Sequence, residues 1–310
     1  MSLRTKKLTK SNPSIRVNKK TLKLVLKLIL TGLAVFLVFR KIDTDQLLLV
    51  LQSASWFWLF PAFLLFVLSK VFTALRLNLY FRNIDLYISE KKNLILYAIG
   101  MFYNLFLPGG IGGDGYKVYL LNKHFKTPVK SLLQAVLLDR LGGLVSIILL
   151  LLGLLLVVDI DLTIIQEIPV SLIAIILILL TLPLFYLITK YLFRKFLPSF
   201  LQANGFSLLG QVSQMIAAYF ILLALGIDEK IFEYQFIFLL SSIVAVLPLT
   251  IGGVGARELV FIYSHEYIGI DKNAAVAFSL IFFLISAITS LIGSFLKIDL
   301  EKSKKYKNRL

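Results

Sequence analysis

The chain has 310 residues, of which 58% are hydrophobic and only 16% are charged, whereas soluble domains average roughly 45–50% apolar and about 25% charged residues. This composition excludes a water-soluble globular domain and suffices for roughly six to eight membrane crossings of about 20 residues each. The net charge is +16, and residues 1–27 and 297–310 together carry +13 of it. Basic tails of this kind favour an anionic cytoplasmic membrane surface over nucleic acid as their partner. The chain has no Cys, which excludes disulfides and thiolate metal sites.

Eight apolar segments follow one another along the chain. They lie at about 22–39, 56–75, 93–108, 131–158, 168–189, 205–226, 234–248 and 274–296. Six of them are long enough to cross a membrane. The segments at 93–108 and 234–248 would extend only about 24 and 22 Å as helices, against a hydrocarbon core of about 30 Å.

Both short segments run into a proline followed by glycines. The stretches Leu107–Lys117 and Leu247–Arg257 align without gaps and share Leu, Pro, Ile, three Gly and a final basic residue. This similarity is an internal repeat with an offset of 140 residues. The glycines and prolines predicted to shape the two turns are Pro108, Gly109, Gly112, Gly113, Gly115, Pro248, Gly252, Gly253 and Gly255.

The distribution of Lys and Arg decides between crossing and re-entrant short segments, because these residues prefer cytoplasmic loops. With the N-terminus inside and all segments crossing, inner loops hold five basic residues and outer loops eleven. If both short segments turn back, the count becomes eleven inside and five outside. The second arrangement is therefore favoured, and it places both termini in the cytoplasm.

The order of segments in this arrangement predicts an inverted-topology repeat. The predicted fold is an all-α polytopic membrane protein of six full spans and two re-entrant helical hairpins. Its parts are a basic tail at 1–21, a first repeat at 22–158, a second repeat at 168–296 and a basic tail at 297–310. Such repeats are typical of secondary transporters, with a site near mid-membrane. Irregular backbone at that depth predicts a polar cavity.

Seven polar or charged residues near the turns and the inner membrane boundary are candidates for substrate binding. They are Asn104, Asp114, Lys117, Asp139, Arg140, Arg257 and Glu258. Charges at membrane depth are costly and face a cavity or a partner. Two compatible hypotheses follow: the pairs Asp114–Arg257 or Lys117–Glu258 tie the hairpins together, or the cations attract a phosphate headgroup while the carboxylates tune the site.

Two further patterns leave alternatives open. Asp139 and Arg140 are expected at the cytoplasmic rim, either as a snorkelling Arg with a local carboxylate or as an access site for a headgroup. The glycines at 110, 112 and 115 match the dinucleotide fingerprint, but the soluble strand–helix context that it requires is missing. These glycines either shape the turn alone or also expose backbone amides to an anion.

Signatures of enzymes are sparse. The two histidines, His124 and His265, have no metal-ligand spacing, and no serine-hydrolase motif occurs. We therefore expect no metal and no cofactor. A lipid translocase is the favoured function, and an enzyme is less favoured. An embedded lipid-modifying transferase or phosphatase and a non-transporting membrane partner protein remain as alternatives.

At these motifs the sequence resembles the transmembrane domain of the lysylphosphatidylglycerol synthases, a family also described as flippase-like. The resemblance covers roughly residues 20–300. It depends on residues found in order along the chain: Asn104, Pro108, Gly109, Gly112, Gly113, Asp114, Lys117, Asp139, Arg140, Pro248, Gly252, Gly253, Gly255, Arg257 and Glu258.

The resemblance implies a bacterial or archaeal membrane protein whose domain moves lipids between leaflets. Together with the distribution of basic residues, it predicts a multi-pass protein of the cytoplasmic membrane. The cations Lys117 and Arg257 favour a lipid with an anionic or phosphate-bearing headgroup as its partner. Lys117 departs from the family, in which an Arg is expected at this position, so bidentate phosphate binding is in doubt there. In full-length synthases a soluble aminoacyltransferase domain follows. Only about fourteen residues follow the last span here, so we expect no synthesis of a lysyl-lipid.

Overall fold

The computed structural model of the chain describes residue 36 and residues 44–106, 111–158, 169–246 and 255–300. All regular elements in these ranges are helices. The predicted span at 22–39, apart from residue 36, lies outside the described residues, as do most of the two tails and the turn residues Pro108, Gly109, Pro248, Gly252 and Gly253.

The described helices follow the apolar segments, with three additions. In chain order they are α1 (Thr44–Gln52), α2 (Trp56–Arg82), α3 (Glu90–Phe106), α4 (Gly112–Phe125), α5 (Val129–Leu154), α6 (Val170–Leu192), a 3₁₀ helix (Arg194–Ser199), α7 (Phe200–Ala224), α8 (Ile231–Val246), α9 (Ala256–Ile268) and α10 (Lys272–Phe295). The helices α1, α4 and α9 have no counterpart among the predicted apolar segments.

Five of these helices are long and apolar enough to cross a membrane: α2, α5, α6, α7 with its preceding 3₁₀ turn, and α10. They correspond to five of the six predicted spans. A helix suits these apolar runs because it satisfies every interior backbone N–H and C=O within the segment. The helices α3 and α8 have 17 and 16 residues, which gives about 26 and 24 Å and leaves them shorter than the core.

The helices α2 and α7 pack antiparallel along their whole length. At one end the N–H of Ser55 donates to the carbonyl of Ala224 over 2.8 Å. At the other end the side chain of Asn83 hydrogen-bonds Ser199, just before α7. Near the middle Gly210 lies against the backbone of Ser69. A small residue at this position lets the two helices approach closely.

Two pairs of consecutive helices also pack antiparallel. In α3 and α4 the backbones of Gly100 and Gly113 are in contact, and a Cβ on Gly113 would lie 1.8 Å from the Gly100 carbonyl oxygen. In the α8–α9 pair, the start of α8 lies next to the end of α9, because the ammonium of Lys230, just before α8, donates to the carbonyl of Ile268 over 3.1 Å. In both pairs the chain therefore reverses direction between the two helices.

In both pairs, the first helix packs against a long helix from elsewhere in the chain. The α3 helix packs against α10, the last helix of the described chain, and α8 packs against α5. The α3–α10 contact is a backbone contact, because a Cβ on Gly293 would lie 2.1 Å from the Ala98 carbonyl oxygen. Each short helix thus lies against the long helix of the opposite half of the chain.

The apolar core is divided into two main clusters. One contains Phe66, Phe238 and Phe282, and the other contains Leu77, Leu121 and Phe196. On α2 and α7 the stretch between the clusters carries polar side chains, which we call the polar layer. Its members are Lys70, Thr73, Arg76, Ser207, Gln211 and Gln214. This layer positions the candidate site about midway along both helices.

Candidate functional site

An ion pair in the polar layer joins three helices. The Nε of Arg76 in α2 donates to Asp139 Oδ1 in α5 over 2.7 Å, and the Arg76 Nη1 donates to Ser207 Oγ in α7 over 2.8 Å. The side chains of Arg76 and Asp139 are only 5% and 10% exposed. The pair therefore fixes the relative positions of α2, α5 and α7.

Two glycines of α5 make room for this guanidinium. A Cβ on Gly143 would lie 3.6 Å from both terminal nitrogens of Arg76, and one on Gly142 would lie 3.3 Å from Ser207 Oγ. Larger side chains would occupy the space between α5 and α2. The sequence Asp139-Arg140-Leu141-Gly142-Gly143 therefore supplies both the carboxylate and the space for its partner.

The second charge cluster lies at the start of α4. The Asp114 carboxylate accepts from Lys117 Nζ over 3.0 Å and from Arg140 Nε over 2.6 Å. The side chains are 13%, 4% and 29% exposed, in the order Asp114, Lys117 and Arg140. The Lys117 ammonium also lies 4.6 Å from the centre of the Tyr97 ring. Three of the predicted site residues are thus brought together here.

Asn104 and Glu258 each hold the beginning of a returning helix. The Asn104 Oδ1 accepts from the N–H of Gly113, in the first turn of α4, over 2.8 Å. The Glu258 Oε2 accepts from the N–H of Gly255 before α9 over 2.7 Å, and its Oε1 accepts from Ser279 Oγ over 2.8 Å. Both side chains satisfy backbone donors that a helix start leaves without intrahelical partners.

Two further cations lie over aromatic rings. The Lys70 ammonium is 4.3 Å from the centre of the Phe66 ring and 3.4 Å from Gln214 Oε1. The guanidinium carbon of Arg257 is 5.1 Å from the centre of the Phe282 ring. Both residues are half-buried. Cation–π contacts of this kind stabilise by about 0.5–2 kcal/mol, depending on exposure.

The predicted ion pairs between the two hairpins do not form. Asp114 pairs with Lys117 and Arg140 rather than with Arg257. Glu258 hydrogen-bonds its own helix start and Ser279 rather than Lys117. Each of the two carboxylates has its partners in its own helix pair, α3–α4 or α8–α9, or in the helix next to that pair.

The structure also corrects the surroundings of Asp139. Its side chain is only 10% exposed, and its partner is Arg76 rather than the adjacent Arg140. Neighbouring residues on a helix point in different directions, so Asp139 faces α2 while Arg140 faces Asp114. Arg76 itself lies inside α2 and is buried, although the charge count assigned it to an inner loop.

Lys70, Arg76 and the polar residues of α7 were not among the predicted site residues. Their signal is the spacing of polar residues within apolar helices. Ser69, Thr73 and Arg76 recur on α2 at intervals of four and three, and Ser207, Gln211 and Gln214 recur on α7 in the same way. This period places each set on one helix face. Two such stripes on neighbouring spans indicate a polar contact or a cavity.

Comparison with family models identifies residues 24–293 as a lysylphosphatidylglycerol synthase TM region. The chain belongs to this family. The match confirms the resemblance found at the motifs, and it includes all seven predicted site residues together with Lys70 and Arg76. Neither the comparison with curated proteins nor the comparison with solved structures gave a match.

As a lysylphosphatidylglycerol synthase TM region, the chain is a multi-pass membrane protein of a lipid-associated family. In the described residues the charge clusters contain five cations, Lys70, Arg76, Lys117, Arg140 and Arg257, and three carboxylates, Asp114, Asp139 and Glu258. The formal sum is two positive charges. Within the same residues, no group of three or more His, Asp or Glu is arranged to hold a metal ion.

Proposed function

We propose that this chain is an integral membrane lipid translocase. It moves a lipid with a phosphate-bearing headgroup between leaflets, through a polar cavity between the α3–α4 and α8–α9 pairs. The observation that carries the proposal is the excess of cations over carboxylates in the buried charge clusters. Charged side chains inside a membrane protein are costly and often mark a substrate path, and cations without a carboxylate partner can bind an anionic group.

The chemistry of these clusters favours transport over acid–base catalysis. Both oxygens of the Asp114 carboxylate accept from cations, and both oxygens of Glu258 accept from protein donors. A carboxylate engaged in this way is poorly placed to exchange protons with a substrate. The remaining positive charge and the polar side chains can instead replace the water that a phosphate headgroup loses.

The packing supports an inverted repeat with two re-entrant hairpins. The α3–α4 pair and the α8–α9 pair are both antiparallel, and each lies against a long helix of the other half. The α2–α7 contact joins the corresponding helices of the two halves. In this arrangement one half rocks against the other and exposes the cavity to each leaflet in turn.

The orientation of the protein follows from its basic residues. With α3–α4 re-entrant from the cytoplasm, Lys123, Lys126 and Arg194 all face the cytoplasm, together with both basic tails. The connection at 159–168, which has no basic residue, faces outward. This distribution agrees with the preference of Lys and Arg for the inner side of the cytoplasmic membrane.

A leaflet-exchange assay tests the proposal. The purified chain is reconstituted in vesicles that contain fluorescent phosphatidylglycerol, phosphatidylethanolamine or a phosphate-free glycolipid, and an impermeant quencher reports the outer leaflet. We expect faster exchange of the two phospholipids than in protein-free vesicles. Exchange at the protein-free rate for every headgroup would reject translocation, and a changed lipid mass after incubation would instead indicate an enzyme.

A further inference from the structure

Lys70 and Arg257 differ from the other cations of the buried clusters. Arg76, Lys117 and Arg140 each have a carboxylate within 3.0 Å. Within the described part of the chain, Lys70 and Arg257 form no salt bridge; their contacts are a long hydrogen bond to Gln214 and two aromatic rings. These two residues therefore account for the excess positive charge.

The two cations lie at either end of one aromatic pair. Lys70 lies over Phe66 and Arg257 lies over Phe282, and the centres of these rings are 5.4 Å apart in an edge-to-face contact. A continuous chain of contacts therefore leads from one cation through the two rings to the other. Two like charges held together away from water are unfavourable unless an anion neutralises them.

Lys70 also lines a groove on the outside of the helix bundle. The groove has a volume of about 280 Å³ and lies between α2, α3 and α10. Val71, Ala98 and Ile292 contribute to its walls, and Lys70 is its one charged lining residue. Apart from Lys70, Tyr97 and Thr289, the lining residues are apolar, and the groove lies between helices of a membrane protein, so hydrocarbon is expected to occupy it. A largely apolar groove with an ammonium in its lining matches a lipid in shape and charge.

We propose that Lys70 and Arg257 bind the phosphate of a membrane lipid while one of its acyl chains occupies the groove between α2, α3 and α10. Gln214 and Gln211 supply additional polar contacts, since Gln214 already hydrogen-bonds both Lys70 and Gln211. This inference rests on the proposed function, and it names the residues and the lateral opening through which the substrate reaches the polar layer.

Lipid binding to the delipidated protein in neutral detergent tests the site without any transport. Native mass spectrometry would measure the affinity for dioleoylphosphatidylglycerol in the wild type and in Lys70→Met, Arg257→Gln and Val71→Trp. Removal of either cation is expected to weaken binding about tenfold or more, since a charge-assisted hydrogen bond is lost. The Val71→Trp side chain would fill the groove and weaken binding while both cations remain.

Arg194→Gln is the matched control. Arg194 lines a different apolar groove, between α6 and α7, with a volume of about 900 Å³, and its loss should leave the affinity for phosphatidylglycerol unchanged. Dioleoylglycerol, which has no phosphate, should bind weakly to all variants. Inorganic phosphate should compete far less well than the lipid; equal competition would overturn the assigned groove.

The folding of the variants can be checked independently. Lys70→Met and Arg257→Gln break no salt bridge, so the thermal midpoint should fall only by the small amount that the loss of a cation–π contact accounts for. Unchanged lipid affinity in both variants would overturn the site, even if the wild type exchanges lipid between leaflets. Conversely, lost affinity in both variants, with no exchange by the wild type, would uphold the site and reject the translocase.

Discussion

Arg76 and Asp139 illustrate how single charges are held inside this protein. Each is buried in a membrane-spanning helix and has the other as its charge partner, and Ser207 takes up a further donor of Arg76. Desolvation of the two ions costs several kcal/mol each, which their mutual attraction offsets only while both are present. The packing of α2 against α5 is therefore stable only while both charges of the pair are present.

Substitution of Asp139 tests this dependence. Asp139→Leu would leave Arg76 buried without a carboxylate, and we expect the free energy of unfolding to fall by about 3–5 kcal/mol. The double variant Arg76→Met with Asp139→Leu should recover most of the loss. Denaturant titration in detergent measures both. Glu90→Gln is the control, because its partner Arg82 is 46% exposed and an exposed pair contributes about 1 kcal/mol or less.

If Asp139→Leu alone were as stable as the wild type, the Arg76–Asp139 contact would not be a structural ion pair. A double variant no more stable than the single one would point instead to packing losses around the substituted side chain in α5. Either result would also weaken the distinction between cations that have a carboxylate partner and cations that have none. The assignment of Lys70 and Arg257 to the lipid site depends on this distinction.

The sequence could indicate the residues of the site but not their partners. Asp114 and Lys117 are indicated by their position next to a glycine-rich break in an apolar chain, and Arg140 by its position near the predicted boundary of a span. Their actual pairing depends on which side chains α3, α4 and α5 bring together in three dimensions. Arg76 is predicted to lie in a loop because the apolar segment ends at residue 75, whereas the helix continues for six residues beyond Arg76, to Arg82.

Glycines decide how closely the helices approach one another. Gly113 lies against the backbone of Gly100 between α3 and α4, and Gly293 lies against the backbone of Ala98 between α10 and α3. Without a hydrophobic driving force in lipid, helix association depends on van der Waals packing and benefits from small residues at the contact. The α3 helix is thus held on two sides by contacts between backbones.

Gly113→Ala should separate α4 from α3. The added Cβ would lie 1.8 Å from the Gly100 carbonyl oxygen, which is backbone and cannot rotate away. We expect the free energy of unfolding to fall by at least about 1–3 kcal/mol. We also expect slower leaflet exchange. Denaturant unfolding and the vesicle assay measure the two effects.

Gly115→Ala is the matched control on the same helix. A Cβ there has no atom within 4 Å, and alanine gains up to about 1 kcal/mol of helix propensity over glycine. Equal destabilisation by the two substitutions would mean that glycine flexibility, rather than the close contact with Gly100, is what the start of α4 requires.

The five described spans could be located from hydropathy, because continuous apolar runs determine them, but α2 ends at Arg82 rather than at residue 75 and α7 begins at Phe200 rather than at residue 205. The returning helices α4 and α9 could not be located in this way, since their sequences contain charged residues such as Asp114, Lys123, Arg257 and Glu258 and form no apolar run. They remain helical because one face packs on α3 or α8. Tertiary contacts of this kind have no signature in the local sequence.

At the scale of the whole molecule, the proposed inverted repeat explains why the polar layer lies between two apolar clusters. Each half contributes one long helix, α2 or α7, to the central antiparallel pair, and each contributes one short helix pair beside it. Polar residues near the middle of both long helices then meet each other. The proposed cavity would then lie about midway along the two long helices, as alternating access requires.

Cysteine labelling can test this topology directly, because the chain contains no native cysteine. Lys123 is exposed in the last turn of α4, and Asp228 is exposed before α8. The two residues are predicted to lie on opposite sides of the membrane. With an impermeant maleimide, Lys123→Cys should react only in inside-out vesicles and Asp228→Cys only in right-side-out vesicles. Reaction of Lys123→Cys from outside would contradict the proposed orientation.

Ile111→Cys separates a re-entrant hairpin from a pair of full crossings. Ile111 is 55% exposed and lies immediately before α4, where the turn of the hairpin meets its returning helix. If α3–α4 ends within the membrane, this cysteine should react slowly with the impermeant reagent from either side and faster with a small, permeant one. Rapid labelling from outside would show that α3–α4 crosses completely, and the polar layer would then lack the hairpin that we propose as one wall of its cavity.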